Sequence, residues 1–283
     1  MKVLVTGASG QLGYDVCREI AAREVFCIGV DRRDFDITNP VETRTYLRNC
    51  CPEAVIHCAA YTNVDQAEKE PESCWAVNET GTKNVAQACL EIGAKLVYLS
   101  TDYVFDGRRA GYYEIDSPTA PLNVYGKSKL AGEQVIRRQM EQAFIVRTSW
   151  MFGAHGQNFV KAILRRAETQ GVLQVVADQF GSPTYTGDLA KLLCDMVQTK
   201  KYGIYHAVNE GICSWAEFAR EVLRRMGKSI QVEEISSRDY PSPVNRPANS
   251  RLSTESLTKA GFSKLPLWTD ALKRYLETDG TEE

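Results

Sequence analysis

A doubly wound α/β fold with a smaller C-terminal α/β lobe is what this sequence predicts, and three observations predict it. Short apolar runs alternate with helical segments over the first 150 residues. A glycine-rich turn joins the first run to the first helix. Beyond Trp150 the alternation loosens, which marks the lobe. Strands separated by helices require right-handed crossovers and hence a parallel sheet.

Each element has its own signal. Residues 2–6 form a short apolar run, the mark of a buried strand. Residues 11–22 carry Leu12, Val16 and Ile20 at helical spacing. Strands follow at 25–30, ending at Asp31, and at 54–58, with a helix containing Val41 and Leu47 between them. A long helix spans 71–90. Strands at 96–100 and 144–147 flank a helix that begins near Tyr125. In the lobe, 158–170 reads as helix, and Thr186 reads as the N-cap of a helix running to Val197. Residues 203–208 read as a strand. Ser214-Trp-Ala-Glu217 is a capping box for a helix that Gly227 ends. Residues 239–247 form a proline-rich loop, and the polar end, 278–283, is expected to fray. The domains are therefore expected at 1–150 and 151–283, with 186–208 returning to the first.

The bulk properties exclude several classes. With 283 residues, 43% hydrophobic and 25% charged, the chain is an ordinary soluble globular type. A net charge of −2 gives no reason to expect nucleic acid or a membrane surface as partner. No run is long enough to span a bilayer, and the early first strand leaves no room for a signal peptide. Nine cysteines without a C-x-x-C pair indicate neither a disulfide framework nor a zinc knuckle, and fit a reducing cytoplasm. The three histidines are scattered, which argues against a metal site built on them.

Gly7-Ala-Ser-Gly10-Gln11-Leu12-Gly13 follows the first strand and opens the first helix. Glycines there let the backbone approach a pyrophosphate, and the helix N-terminus offers free N–H groups. The spacing is G-x-x-G-x-x-G. Asp31 ends the second strand, where an acid binds the adenine ribose of NAD. Arg32 and Arg33 follow it, and a guanidinium there suits the 2′-phosphate of NADP. Both cofactors are therefore expected to be usable. Asp36 and Ile37 are placed to border the adenine, and the small residues of Ala59-Ala60-Tyr61 to let the cofactor pass close.

The chemical end is Thr101, at the tip of the fourth strand, with Tyr125 and Lys129 on the next helix. Ligands of open α/β sheets bind at the carboxyl ends of the strands. Residues four apart share a helix face, so Lys129 is expected to lower the Tyr125 pKa and ready it for proton exchange near neutral pH.

Together, Gly7/Gly10/Gly13, Thr101 and Tyr125-x-x-x-Lys129 resemble the extended short-chain dehydrogenase/reductase superfamily, whose sheet is Rossmann-type. More narrowly, Cys58-Ala-Ala-Tyr-Thr-Asn-Val-Asp-Gln-Ala-Glu68, Leu99-Ser-Thr-Asp-Tyr-Val-Phe-Asp-Gly107, Asn123-Val-Tyr-Gly-Lys-Ser-Lys-Leu-Ala-Gly-Glu133, Val146-Arg-Thr-Ser-Trp150, Gly181-Ser-Pro-Thr184 and Arg246-Pro-Ala-Asn-Ser-Arg-Leu252 resemble the dTDP-4-dehydrorhamnose reductases. The resemblance covers nearly the whole chain. It implies NAD(P)H-dependent reduction of a nucleotide-sugar ketone in polysaccharide biosynthesis. Tyr125 would be the proton donor, Lys129 would hold the nicotinamide ribose, and Thr101 would bond the reacting oxygen. Asp102 and Trp150 would contact the sugar nucleotide, and Arg246 would pair with its phosphate or form an interdomain salt bridge. Some members use Mg2+ at a homodimer contact. Asp15 and Asp188 are acids in regions that would suit such a site, and ordinary surface carboxylates explain them equally well. Related 4,6-dehydratases carry Thr-Asp-Glu where this chain has Thr101-Asp102-Tyr103, and so lack of the glutamate disfavours elimination. An NDP-sugar 4-epimerase with bound NAD and a non-catalytic regulatory subunit are the competing readings.

Overall fold

Six parallel strands form the centre of the molecule: β1 (Lys2–Thr6), β2 (Phe26–Val30), β3 (Ala54–His57), β4 (Lys95–Thr101), β5 (Ala143–Thr148) and β6 (Gly203–His206), in the order β6-β5-β4-β3-β1-β2. The computed structural model describes residues 1–242 and 244–278. Pro243 of the proline-rich loop and the last five residues of the polar end lie outside these, while Thr278 closes a helix.

The strands read as unbroken apolar runs because both sheet faces are covered. Val3, Val5, Ile56, Val97, Leu99, Phe144 and Val146 face one layer, packed under Leu12, Val16 and Ile20 of the Gln11–Ala22 helix and Leu189 and Leu193 of the Thr186–Val197 helix. Leu4, Val55, Leu96, Tyr98 and Ile145 face the other, against Leu47, Val85, Cys89 and Ile136. The chain thus returns to the sheet after Trp150, with the Thr186–Val197 helix on one face and β6 paired to β5.

A separate apolar cluster builds the lobe. Phe152, Val160, Ile163, Leu173, Phe218, Val222, Leu272 and Tyr275 form it, beneath a parallel pair of strands, Val172–Val176 and Gln231–Ile235. Ser214 and Glu217 form the reciprocal capping box of the Trp215–Arg225 helix. Gly227, at φ +64°, supplies the left-handed turn after it.

Two local expectations are corrected. Thr186 is the first residue of its helix and Tyr185 the N-cap; the Thr186 hydroxyl instead donates to the Asp15 carboxylate. The helix expected over 71–90 is three pieces in series: Pro71–Trp75, a π-helical stretch Ala76–Gly81, and Thr82–Ile92. The widened turn puts Asn78, a poor residue for a helix interior, where its side chain leaves the helix to bond elsewhere.

Candidate active site

A cleft of about 1110 Å³ runs along the carboxyl ends of β2, β1, β3, β4 and β5. At one end the glycine turn closes tightly. Gly7 has φ +68°, and a Cβ on it would lie 2.7 Å from the Ala59 nitrogen. A Cβ on Gly13 would lie 2.1 Å from the Gly7 carbonyl oxygen. The Gln11–Ala22 helix has no side-chain cap at Gly10, so its first N–H groups face the cleft as an anion site. This cradle fits a dinucleotide pyrophosphate. Gly13→Ala should remove cofactor binding and cost about 1–3 kcal/mol of stability from overpacking, read by NADPH titration and by thermal melts.

Asp31, Arg32, Asp36 and Ile37 line the cleft beyond that turn. The Arg33 guanidinium folds back on Asp31, with Nη2 2.6 Å from Oδ2, and with its own backbone N–H holds the carboxyl well below the usual range. The Asp36 carboxylate is used locally, accepting from the Thr38 N–H at 2.9 Å and hydroxyl at 2.8 Å. Ala59, Ala60 and Tyr61 form the next part of the wall. Asn78, which sequence reasoning missed, fixes this segment. Its Oδ1 accepts from the Tyr61 N–H at 2.8 Å, and its Nδ2 donates to the Tyr61 carbonyl at 3.1 Å and to Ser128 Oγ at 3.0 Å. Asn78 thereby ties the cofactor wall to the turn that carries Tyr125 and Lys129.

Thr101, Asp102, Tyr125 and Lys129 meet at the far end with Trp150. Asn123 caps the Val124–Gln139 helix and so sets the direction of its first turn. The Thr101 hydroxyl bonds the Tyr125 phenol and lies 3.1 Å from Asp102 Oδ1. Lys129 is buried with Nζ 4.1 Å from the Tyr98 ring centroid. Burial lowers its pKa to about 7, opposed chiefly by the charge of Glu133 one turn on. The expected depression of Tyr125 is reversed: burial pushes the phenol up, the Thr101 hydrogen bond pulls against it, and the Asp102 charge adds to the rise. Helical spacing supplied the neighbour, but burial outweighs it. A raised phenol stays protonated at neutral pH, which is the form an acid needs.

Asp102 is itself buried, and burial raises it to about 6 while hydrogen bonds from Ser250 and Thr101 oppose the rise. Tyr103 packs edge-on to Tyr125, ring centroids 5.8 Å apart, and burial pushes its phenol up. Trp150, at φ +48°, stacks on Trp215 with centroids 3.6 Å apart. Trp215 also lines the cleft. Its place in a capping box accounted for it as a helix start, so nothing in the sequence pointed it at Trp150.

Arg246 takes one of its two expected roles, and Asp15 and Asp188 depart from the surface carboxylates expected. Arg246 makes the salt bridge between the two parts of the chain, 2.7 Å to Asp65, and hydrogen-bonds Tyr103. Asp15 and Asp188 are buried rather than surface carboxylates. Asp15 accepts from Thr186, and Asp188 takes both Arg274 Nη atoms at 2.7 Å with Asn209 at 2.9 Å. These carboxylates are committed within the protein and do not fit as magnesium ligands, and no cluster of three or more His, Cys, Asp or Glu suited to a metal occurs among the described residues. All nine cysteines are free thiols. Among the described residues no helix is long and apolar enough to cross a membrane.

A glycine-lined cleft ending in a threonine, a tyrosine and a lysine, with a second lobe over it, defines an extended short-chain dehydrogenase/reductase. The family model for the RmlD substrate binding domain matches residues 1–280. The chain is 40% identical to the spore coat polysaccharide biosynthesis protein SpsK of Bacillus subtilis, over 98% of this chain and 97% of that one. It is 38% identical to the dTDP-4-dehydrorhamnose reductase of Aggregatibacter actinomycetemcomitans, over 96% and 97%. The crystal structure of dTDP-4-dehydrorhamnose reductase from Bacillus anthracis, in complex with NADP, superposes with a TM-score of 0.95 at 41% identity, over 98% of this chain and 99% of that chain. The chain belongs to the dTDP-4-dehydrorhamnose reductase family, a group of NAD(P)-dependent reductases.

Proposed function

We propose that this protein reduces the C4 ketone of dTDP-4-dehydro-L-rhamnose to dTDP-L-rhamnose with NADPH or NADH, the last step in making that sugar nucleotide. The observation that carries the reading is Tyr103 packed against Tyr125. Where a dehydratase needs a carboxylate base to take a proton, this site holds a second phenol, and burial keeps it protonated. The chemistry left to the site is proton donation beside a hydride carrier.

A bound reduced nicotinamide supplies the hydride. The chain does the rest. Tyr125 gives its proton to the oxygen that develops charge as the ketone is reduced. Thr101 shares that charge through its hydroxyl. Lys129 holds the cofactor ribose and, while protonated, offsets the phenolate formed on Tyr125. Asp102 and Trp150 border the sugar, and Asp31, Arg32, Asp36, Ile37 and the glycine turn hold the adenine half. NAD(P)H oxidation, followed at 340 nm with the keto-sugar generated in situ, tests the reading. Stoichiometric consumption is expected; turnover of sugar with no net absorbance change would replace the reductase by an epimerase.

A pH dependence follows from Lys129. Its pKa, lowered to about 7, leaves it charged below that pH and neutral above it. The phenolate loses its counter-charge as pH rises, so kcat/KM, which reports the free enzyme's groups, is expected to fall through about pH 7. A profile flat from pH 6 to 9 would remove Lys129 from this role.

A further inference from the structure

Thr148 ends β5 and stands beside Thr101, its register partner on β4. It is 4% exposed, yet it lines the cleft. Its hydroxyl has no hydrogen-bond partner among the described residues. The neighbouring hydroxyls are all engaged: Thr101 with Asp102 and Tyr125, and Ser149 with the Ser182 carbonyl at 2.9 Å. Buried polar groups are nearly always paired, so an orphan hydroxyl on a residue that lines a cleft points to a ligand atom.

We infer that Thr148 is a cofactor-positioning residue whose hydroxyl hydrogen-bonds the carboxamide of the nicotinamide ring. This rests on the dinucleotide reading of the cleft given above. The strand order supplies the placement. Asp31 follows β2, the glycine turn follows β1, Ala59 to Tyr61 follow β3, and Thr101 ends β4. A dinucleotide laid with its adenine end at Asp31 and its pyrophosphate at the glycine turn must bring its nicotinamide end to the tips of β4 and β5. Thr148 lies on the sheet face shared by Leu99 and Val146, directly on the strand tips. The lobe residues Trp150 and Trp215 take the outer wall, where the sugar belongs. The carboxamide is the only hydrogen-bonding group on the ring, and a hydroxyl can serve either its oxygen or its nitrogen.

The test needs no sugar. Thr148→Val keeps the shape and removes the hydroxyl; Thr148→Ser keeps the hydroxyl. Binding of NADPH and of 2′-phospho-ADP-ribose, which lacks the nicotinamide, is measured for each by calorimetric titration, with thermal melts alongside. Thr148→Val should weaken NADPH about five- to tenfold, the loss of one hydrogen bond, and leave 2′-phospho-ADP-ribose unchanged. Thr148→Ser should bind NADPH within about twofold of wild type, the scatter of small structural adjustments. The melting temperature of Thr148→Val should stay level or rise, because no protein hydrogen bond is lost. Equal weakening of both ligands, no weakening of either, or a marked fall in melting temperature would each overturn the inference. Failure of the wild-type protein to bind NADPH would instead overturn the reading of the cleft itself.

Discussion

Tyr125→Phe is expected to lower kcat about 10³-fold, within the 10²–10⁴ range that a positioned acid contributes, with little change in cofactor affinity. The phenol is the proton source nearest the reacting oxygen in the proposed arrangement, and its hydroxyl bonds Thr101 rather than the cofactor wall. Tyr103 cannot take over. Its ring meets Tyr125 edge-on, and its phenol is held by the Arg246 hydrogen bond. Steady-state kinetics with the keto-sugar and a separate NADPH titration check both halves of the prediction. A variant within tenfold of wild-type kcat would mean that the proton comes from elsewhere. A variant that loses NADPH binding would mean that the phenol shapes the cofactor site.

Much of the fold was legible in the sequence because it rests on local signals. Leu12, Val16 and Ile20 repeat at helical spacing and are buried together. The Ser214–Glu217 capping box is contained within four residues. The glycine turn is recognisable because strand, turn and helix follow one another in the chain. What escaped were contacts that join distant segments. Trp150 and Trp215 lie 65 positions apart, and no periodicity relates them. Asn78 looked like one more helical residue until the π-helical turn aimed it at Tyr61 and Ser128. The sense of the Tyr125 shift escaped for a related reason. Spacing shows that Lys129 is near but not how deeply both are buried, and burial decides the sign. Asp15 and Asp188 looked like surface acids because their partners, Thr186 and Arg274, are 171 and 86 residues away.

The largest effect on stability should come from the ion pair beneath the site. Glu133 and Arg147 are almost wholly buried, with Arg147 Nη2 2.7 Å and Nε 2.8 Å from the carboxylate. Ser100 also donates to Glu133, and Arg147 reaches the Ile115 carbonyl at 3.1 Å. The pair therefore clamps β4, β5 and the helix that carries Tyr125 and Lys129. Glu133→Gln leaves the guanidinium buried without its counter-charge and should cost about 3–5 kcal/mol, read by denaturant unfolding. Replacing both, Glu133→Gln with Arg147→Met, removes the stranded charge and should recover most of that loss. The two variants separate structure from catalysis. Glu133 is the main influence holding up the Lys129 pKa against burial, so its charge matters to the site whether or not Arg147 is present. In the double variant, Lys129 should lose its proton at lower pH than in wild type. The fall in kcat/KM should move from about pH 7 toward acid, although the fold has recovered. An unshifted profile would show that the clamp acts on stability alone.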